Sequence, residues 1–290
     1  MRFAGRRNDS PVGGRRESAL RRVAWALLGV MTAGSSLAET TRPAAGIDLA
    51  TATVVDLTHP FDERTLYWPG GGTNLTFSLE RVAYGPTPGG YFYAANRFCT
   101  PEHGGTHLDA PIHFAEGKRT ADQIPLRQLV APAVVIDVTR QVAADVDYRL
   151  TREDVLAFEA SHGRIASGTM VLLRTGWSSR WGDRKAYFGD DTPGDATHLH
   201  FPSFGPEAAR LLVEERGVGA IGVDTPSIDH GPSRDFLVHR IAGAHDVPGF
   251  ENLKSLDELP ATGSWVVALP MKIGGGSGGP LRAIALLPGK

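Results

Sequence analysis

Cysteine is almost absent. Cys99 stands alone, so no intrachain disulfide can hold the fold together. A single thiol of this kind is expected to be a small buried side chain rather than a nucleophile. Long stretches of one charge are absent from the body of the chain, and the formal net charge is only −2. A nucleic-acid binder would show a basic stripe, so that class is set aside. No internal repeat is visible. Glycine and proline, by contrast, number 35 and 20, so turns and shaped loops should take up much of the chain. The remaining composition is ordinary, and a 290-residue chain can bury a substantial core without staples.

Long hydrophobic runs are missing too. The uncharged apolar stretch from Val23 to Ala33 falls short of the roughly 20 residues a membrane span needs. Arg15, Arg16, Arg21 and Arg22 precede it, and Ser36-Leu37-Ala38 puts small residues at −3 and −1 of a cut before Glu39. These are the parts of a secretory signal peptide over residues 1–38. A mature domain over 39–290, periplasmic or secreted and without a stable membrane span, is therefore expected. An uncleaved N-terminal anchor is the alternative. The arginine pairs match a twin-arginine signal only loosely.

Six runs read as strands: 53–57, 133–138, 170–174, 220–224, 265–269 and 282–286. Most are continuously apolar rather than alternating, the pattern of strands buried on both faces. One helix should start at Thr151, with Asp154 completing a capping box, and stop before Gly163. Another should run from Pro206 to about Glu215, ended by Gly217. The expected fold is α/β, a single layered domain with a mostly buried mixed β-sheet and few helices. The cluster Gly274-Gly275-Gly276-Ser277-Gly278-Gly279 lacks the Lys-Ser/Thr of a phosphate loop. It reads as a hairpin or a flexible loop near the functional site.

Three of the ten histidines, His103, His107 and His113, fall within eleven residues, with Asp109 between the last two. Imidazole and carboxylate together suit a divalent ion such as zinc or manganese. Gly104-Gly105 would let the backbone pass close to that ion, and Thr106 is placed to hydrogen-bond a ligand. The plain alternative is a polar surface loop with scattered histidines.

The string H-x-G-T-H-x-D-x-P-x-H, filled completely by residues 103–113, resembles the signature of the cyclase family of metal-dependent hydrolases, which includes kynurenine formamidases and isatin hydrolases. Further segments are similar to that family: Asp56-Leu57-Thr58-His59-Pro60, Tyr67-Trp68-Pro69-Gly70, Arg174-Thr175-Gly176-Trp177, Gly222 through Asp229, and His239 with Glu251 twelve residues on. The match spans about 53–286. The resemblance implies a swivelling β/β/α-like fold and a homodimer. It implies that His103, His107 and Asp109 hold a first divalent metal, and that Asp109 bridges to a second held with His239 and Glu251. One ion or two are compatible with it, and Glu251 could touch the first ion as well. His113 would be the general acid/base, and Trp68 would line the substrate pocket.

The activity so implied is metal-dependent hydrolysis of a C–N amide bond in a small aromatic substrate, either an isatin-type cyclic amide or N-formylkynurenine. Asp229-His230-Gly231-Pro232 leans toward the isatin branch and Glu251 toward the formamidases. A lactone or ester hydrolase on the same site, and a periplasmic metal- or ligand-binding protein without catalysis, are the rivals. Tyr67, Phe92 and Trp177 join Trp68 as candidate aromatic surface, with Trp177 leaning toward the core. Trp181 is expected in a surface loop able to cover the site. Asp224 and Asp229 could orient ligands or cap loops. His59 is either near the pocket or structural, and His162, His198, His200 and His245 read as ordinary polar residues, His245 least firmly.

Overall fold

Runs of β-branched residues buried on both faces form the centre of the structure, a computed structural model that describes residues 47–70 and 76–289. The expected signal peptide, residues 1–38, lies outside the described residues. Twelve strands are present among those described: β1 (Thr53–Asp56), β2 (Ser78–Pro86), β3 (Phe92–Cys99), β4 (His107–Asp109), β5 (Val130–Asp137), β6 (Arg149–Leu150), β7 (Met170–Arg174), β8 (Ser203–Phe204), β9 (Ala220–Val223), β10 (Gly249–Glu251), β11 (Ser264–Pro270) and β12 (Gly278–Leu287). The helices are α1 (Leu126–Leu129), α2 (Thr139–Ala144), α3 (Arg152–His162), α4 (Arg184–Phe188), α5 (Pro206–Arg210), which continues as a wider π turn through Glu215, and α6 (Leu237–Ala244).

Eight strands form one mixed sheet in the order β1-β12-β11-β5-β7-β9-β10-β4. β5, β7, β9 and β10 run parallel, so each connection between them must cross over, and α3, α5 and α6 lie in those crossovers. β4 pairs back onto β12, Gly278 opposite Asp109 and Pro280 opposite His107, and so closes the sheet on itself. Alternate residues of one strand enter different cores. Val134 and Ile136 of β5 pack with Val155, Phe158, Leu211 and Leu212 of the helices. Ala133 and Val135 face the sheet's interior with Leu57, Leu108, Phe250 and Ala283. That two-sided burial is why the runs read as continuously apolar.

The α/β reading and all six expected strands are present. At the start of α3 the Thr151 hydroxyl accepts from the Asp154 amide at 3.1 Å, and the Asp154 carboxylate accepts from the Thr151 amide at 2.9 Å. The far end of α3 is tied by a buried pair, in which Arg216 donates twice to Glu159 at 2.7 and 2.8 Å. Burial opposes ionisation of Glu159, but Arg216 and the Ile165 amide outweigh it and hold the carboxyl below its ordinary value of 4.5. A carboxyl depressed in the folded state contributes stability above its unfolded pKa and loses it as pH falls through the folded one. Glu159→Gln is therefore expected to cost about 2 kcal/mol at pH 7, somewhat below a fully buried pair because its edge meets solvent. The gap to wild type should close as pH drops below about 4.5. Urea unfolding at pH 7 and pH 4 measures both, and a gap that does not change with pH would rule out the ion pair as its source.

The shorter strands and helices were not foreseen, and two of the unforeseen parts matter most. One is α6, and the other is the ribbon β2–β3, a separate two-stranded sheet. Its sequence mixes apolar and charged residues without clear alternation, so no strand pattern stands out. Cys99 ends β3 and is exposed, which corrects the expectation of burial. Phe92, on the same ribbon, is 61% exposed and offers nothing to a pocket. Both follow from the ribbon having no covering layer among the described residues.

Candidate metal centre

Strand register assembles the site. β4 is held between β10 and β12, and its antiparallel pairing with β10 sets Glu251 opposite His107 and Gly249 opposite Asp109. α6 brings in His239, and the turn before β4 brings in His103. That turn needs its glycines: Gly104 and Gly105 have φ of 143° and 58°, and a Cβ at either would strike the ring of Tyr67 or Phe61. His103, His107, Asp109, His239 and Glu251, 130 to 150 residues apart in part, thus converge at one place. They form two ligand groups, His103–His107–Asp109 and Asp109–His239–Glu251, that share Asp109.

The outer nitrogens of the three histidines decide what the inner ones can do. His107 Nδ1 lies 3.0 Å from the Gly105 carbonyl, which can only accept, so the proton sits on Nδ1. His239 Nδ1 donates to Asp229 Oδ2 at 2.7 Å. His103 Nε2 lies 2.8 Å from the Ser277 hydroxyl. With a proton on each outer nitrogen, the inner nitrogens are the ones that can offer lone pairs to an ion. Those lone pairs face carboxylate oxygens: His103 Nδ1 to Asp109 Oδ1 at 2.6 Å, His107 Nε2 to the same oxygen at 3.2 Å and to Glu251 Oε2 at 3.4 Å, and His239 Nε2 to Asp109 Oδ2 at 3.0 Å and Glu251 Oε1 at 3.2 Å. Three lone pairs against two buried carboxylates require positive charge between them, which protons on the imidazoles supply in the metal-free centre and a cation supplies when bound. Donors bound to one ion at about 2.0–2.2 Å stand about 3.3 Å apart, close to most of these spacings. The donor set therefore fits a divalent ion.

The titration behaviour has the same cause. Burial disfavours a charged His107, but Asp109, Glu251 and the Gly105 carbonyl outweigh it and lift its pKa to about 9. Burial likewise opposes His239, and Asp109, Asp229 and Glu251 raise it well above the ordinary histidine value. For Asp109, burial is overruled by His103 and His107, which hold the carboxyl well down. Glu251 moves up, through burial and then the neighbouring Asp109.

A cavity of about 440 Å³ opens onto these ligands. His113 lines it, its ring stacked on His103 at 3.8 Å between centroids. Burial, aided by the neighbouring histidines and opposed by Asp109, lowers the His113 pKa to about 4, so its imidazole is neutral at physiological pH. Trp68 lines the cavity as expected, and Phe114, Phe188 and Phe236 complete an aromatic wall that the sequence reading missed. Phe114 directly follows His113 and was legible as its neighbour. Phe236, next to α6, is held at φ 49°, an uncommon conformation for a bulky residue, and only the backbone reveals it.

Other expected residues are placed elsewhere. The Thr106 hydroxyl donates to the Asn252 carbonyl at 2.7 Å and accepts from the His59 amide, so it braces two segments and binds no ligand side chain. Asp229 orients His239, whereas Asp224 caps the loop at Thr175 and Gly176 and stays out of the cavity. Tyr67 is buried with its hydroxyl 2.7 Å from that of Thr100, and Trp177 lies in the core, donating to the Tyr187 carbonyl. Trp181 does not cover the site. It stacks on His59 at 4.1 Å and packs edge-on against Tyr187. His245 bonds the Ile241 carbonyl within its own helical turn.

The Cyclase family model matches residues 55–230, which include the whole His103–His113 segment and end before His239 and Glu251. Over 207 residues the chain is 38% identical to the isatin hydrolase of Roseibium aggregatum, covering 69% of this chain and 77% of that protein. It is 27% identical over 237 residues to a kynurenine formamidase of Bacillus cereus, covering 81% and 98%. Among solved structures, isatin hydrolase A from Ralstonia solanacearum superposes with a TM-score of 0.74 at 36% identity, over 82% of this chain and 93% of that one.

Proposed function

This chain belongs to the Cyclase family, and from that membership and the geometry of the centre we propose that it is a metal-dependent hydrolase that opens the C–N bond of a small cyclic aromatic amide. The observation that carries this is the convergence of three imidazole lone pairs and two carboxylates at the floor of an aromatic-walled cavity. His103, His107, Asp109, His239 and Glu251 would hold one or two ions, zinc or manganese, with Asp109 shared. When bound, a divalent ion supplies Lewis acidity, drawing electron density from the amide carbonyl and making water more acidic. Trp68, Phe114 and Phe236 hold a planar ring by stacking and edge contact. His113, neutral and without a protein partner for its ring nitrogens among the described residues, takes the proton from attacking water and returns it to the leaving nitrogen.

The cavity wall favours the cyclic amide over N-formylkynurenine. Among the described lining residues there is no lysine or arginine, and the only carboxylates are Asp109 and Glu251 of the centre. A substrate with an amino-acid tail would bury an ammonium and a carboxylate there without partners, which is costly. Purified protein assayed on isatin and on N-formylkynurenine is expected to show kcat/KM at least 10-fold higher for isatin, about 1.4 kcal/mol of discrimination. Equal rates, or a preference for the formamide, would reverse the assignment. Including the corresponding lactone tests the ester-hydrolase rival, which requires the lactone to be the better substrate. The rival without catalysis requires bound metal and no turnover on any of the three. It gives no reason for a neutral imidazole beside the ligands.

We further propose that the working form is a homodimer joined through the ribbon β2–β3. The cross-strand register puts Leu79, Tyr84, Phe92 and Phe98 on one face of it, each at least half exposed. Side chains of this size present on the order of 100 Å² each, so this face alone supplies about half of the roughly 800 Å² per partner of a standard interface. A lone two-stranded ribbon is also marginal in water. Tyr84→Ser with Phe92→Ser is expected to shift the sedimentation mass from dimer to monomer, and a wild type that sediments as a monomer overturns the proposal. Export to the periplasm or medium is proposed as well, supported by residues 1–38, and N-terminal sequencing of the exported protein should begin at Glu39.

A further inference from the structure

The glycine-rich turn between β11 and β12 carries Ser277, and Glu102 directly precedes His103. Both meet at His103. The Ser277 hydroxyl donates to Glu102 Oε2 at 2.6 Å, and the Ser277 amide donates to the same oxygen at 3.1 Å. A hydroxyl has one proton, and here it is committed to the carboxylate. Toward His103 Nε2, 2.8 Å away, Ser277 Oγ can therefore only accept. Nε2 of His103 thereby carries a proton, and Nδ1, facing Asp109 Oδ1, is the nitrogen left to offer a metal.

We propose that Ser277 and Glu102 are positioning residues that hold His103 in the tautomer and orientation needed to ligate the metal. His103 needs this anchor most. Its side chain is 26% exposed, against 4% for His107 and 6% for His239, so packing alone constrains it least. The glycines flanking Ser277 now have a reason. A Cβ at Gly278 would strike the Leu108 carbonyl and come within 2.7 Å of the His103 ring, and one at Gly276 would come within 2.7 Å of Glu102 Oε1. The turn's backbone is pinned independently of the serine hydroxyl: Ala110 donates to the Ser277 carbonyl at 2.8 Å and Ala121 to the Gly276 carbonyl at 2.9 Å. Removing the hydroxyl should leave the turn where it is and release only the imidazole.

The inference rests on His103 being a metal ligand, so the test separates the two. Apoprotein of wild type, His103→Ala, Ser277→Ala, Glu102→Ala and Glu102→Gln is titrated with Zn²⁺ against a chromogenic chelator, with thermal unfolding of each apoprotein recorded alongside. His103→Ala should remove a binding phase. Ser277→Ala and Glu102→Ala should each weaken that same phase by about 10–100-fold, the usual effect of losing an outer partner of a metal-bound histidine. Glu102→Gln keeps an acceptor for the hydroxyl and should recover most of the affinity. The double variant Ser277→Ala/Glu102→Ala should be no weaker than Ser277→Ala alone, because both act through one chain of bonds. If His103→Ala removes a phase and Ser277→Ala binds within about 2-fold of wild type, the positioning role is wrong and the ligand reading survives. If His103→Ala changes nothing, the ligand reading itself fails.

Discussion

Asp109→Asn is expected to abolish activity and weaken metal binding by well over the ~100-fold that loss of an outer partner costs. Both oxygens of Asp109 are engaged, Oδ1 toward His103 and His107 and Oδ2 toward His239, and the residue belongs to both ligand groups. Asparagine keeps the shape but removes the negative charge, and it turns one acceptor into an amide donor. In the metal-free protein the change also removes counter-charge that raises His107 and His239, leaving Glu251 as the one buried carboxylate between them. The variant apoprotein should unfold somewhat below the wild-type temperature at pH 7. The stabilisation that metal confers on wild type, about 2.7 kcal/mol at a hundred times Kd, should disappear. Thermal unfolding with and without Zn²⁺ measures both. Binding within 10-fold of wild type would mean that Asp109 is not shared between ligand groups as proposed.

His113→Ala should separate chemistry from binding. His113 lines the cavity, stacks on His103, and offers neutral ring nitrogens with no protein partner among the described residues. Loss of a general acid/base costs about 10²–10⁴-fold in rate. The expected result is therefore full metal content by elemental analysis, a KM within a few-fold of wild type, and kcat lower by that factor. Metal lost together with the rate would make His113 a ligand instead. An unchanged kcat would place the proton transfer on another group.

How far the sequence leads can be seen residue by residue. His103, His107, Asp109 and His113 were legible because one short segment carries them at a spacing that also resembles a known signature. β5, β7 and β9 were legible because burial on both faces leaves a continuous apolar run, and β1, β11 and β12, which are buried on one face, because their residues are β-branched or aliphatic. The ends of α3 were legible because Thr151, Asp154 and Gly163 act within a single turn of backbone. The exposed ribbon was not, since its stability depends on what covers it and its residues carry no strong period. The burial expected for Cys99 and the pocket role expected for Phe92 failed for that reason.

The sequence by itself determined the α/β class, the donor chemistry of residues 103–113 and the kind of ion they suit, because these depend on residue type and short spacing. Only the tertiary structure decided that Glu251 stands opposite His107, that Asp229 rather than Asp224 holds an imidazole, and that Ser277 reaches His103 across 174 residues of chain. Those contacts are set by strand register and by closure of the sheet through β4 and β12, and a one-residue slip in either pairing would turn the same side chains away from the centre.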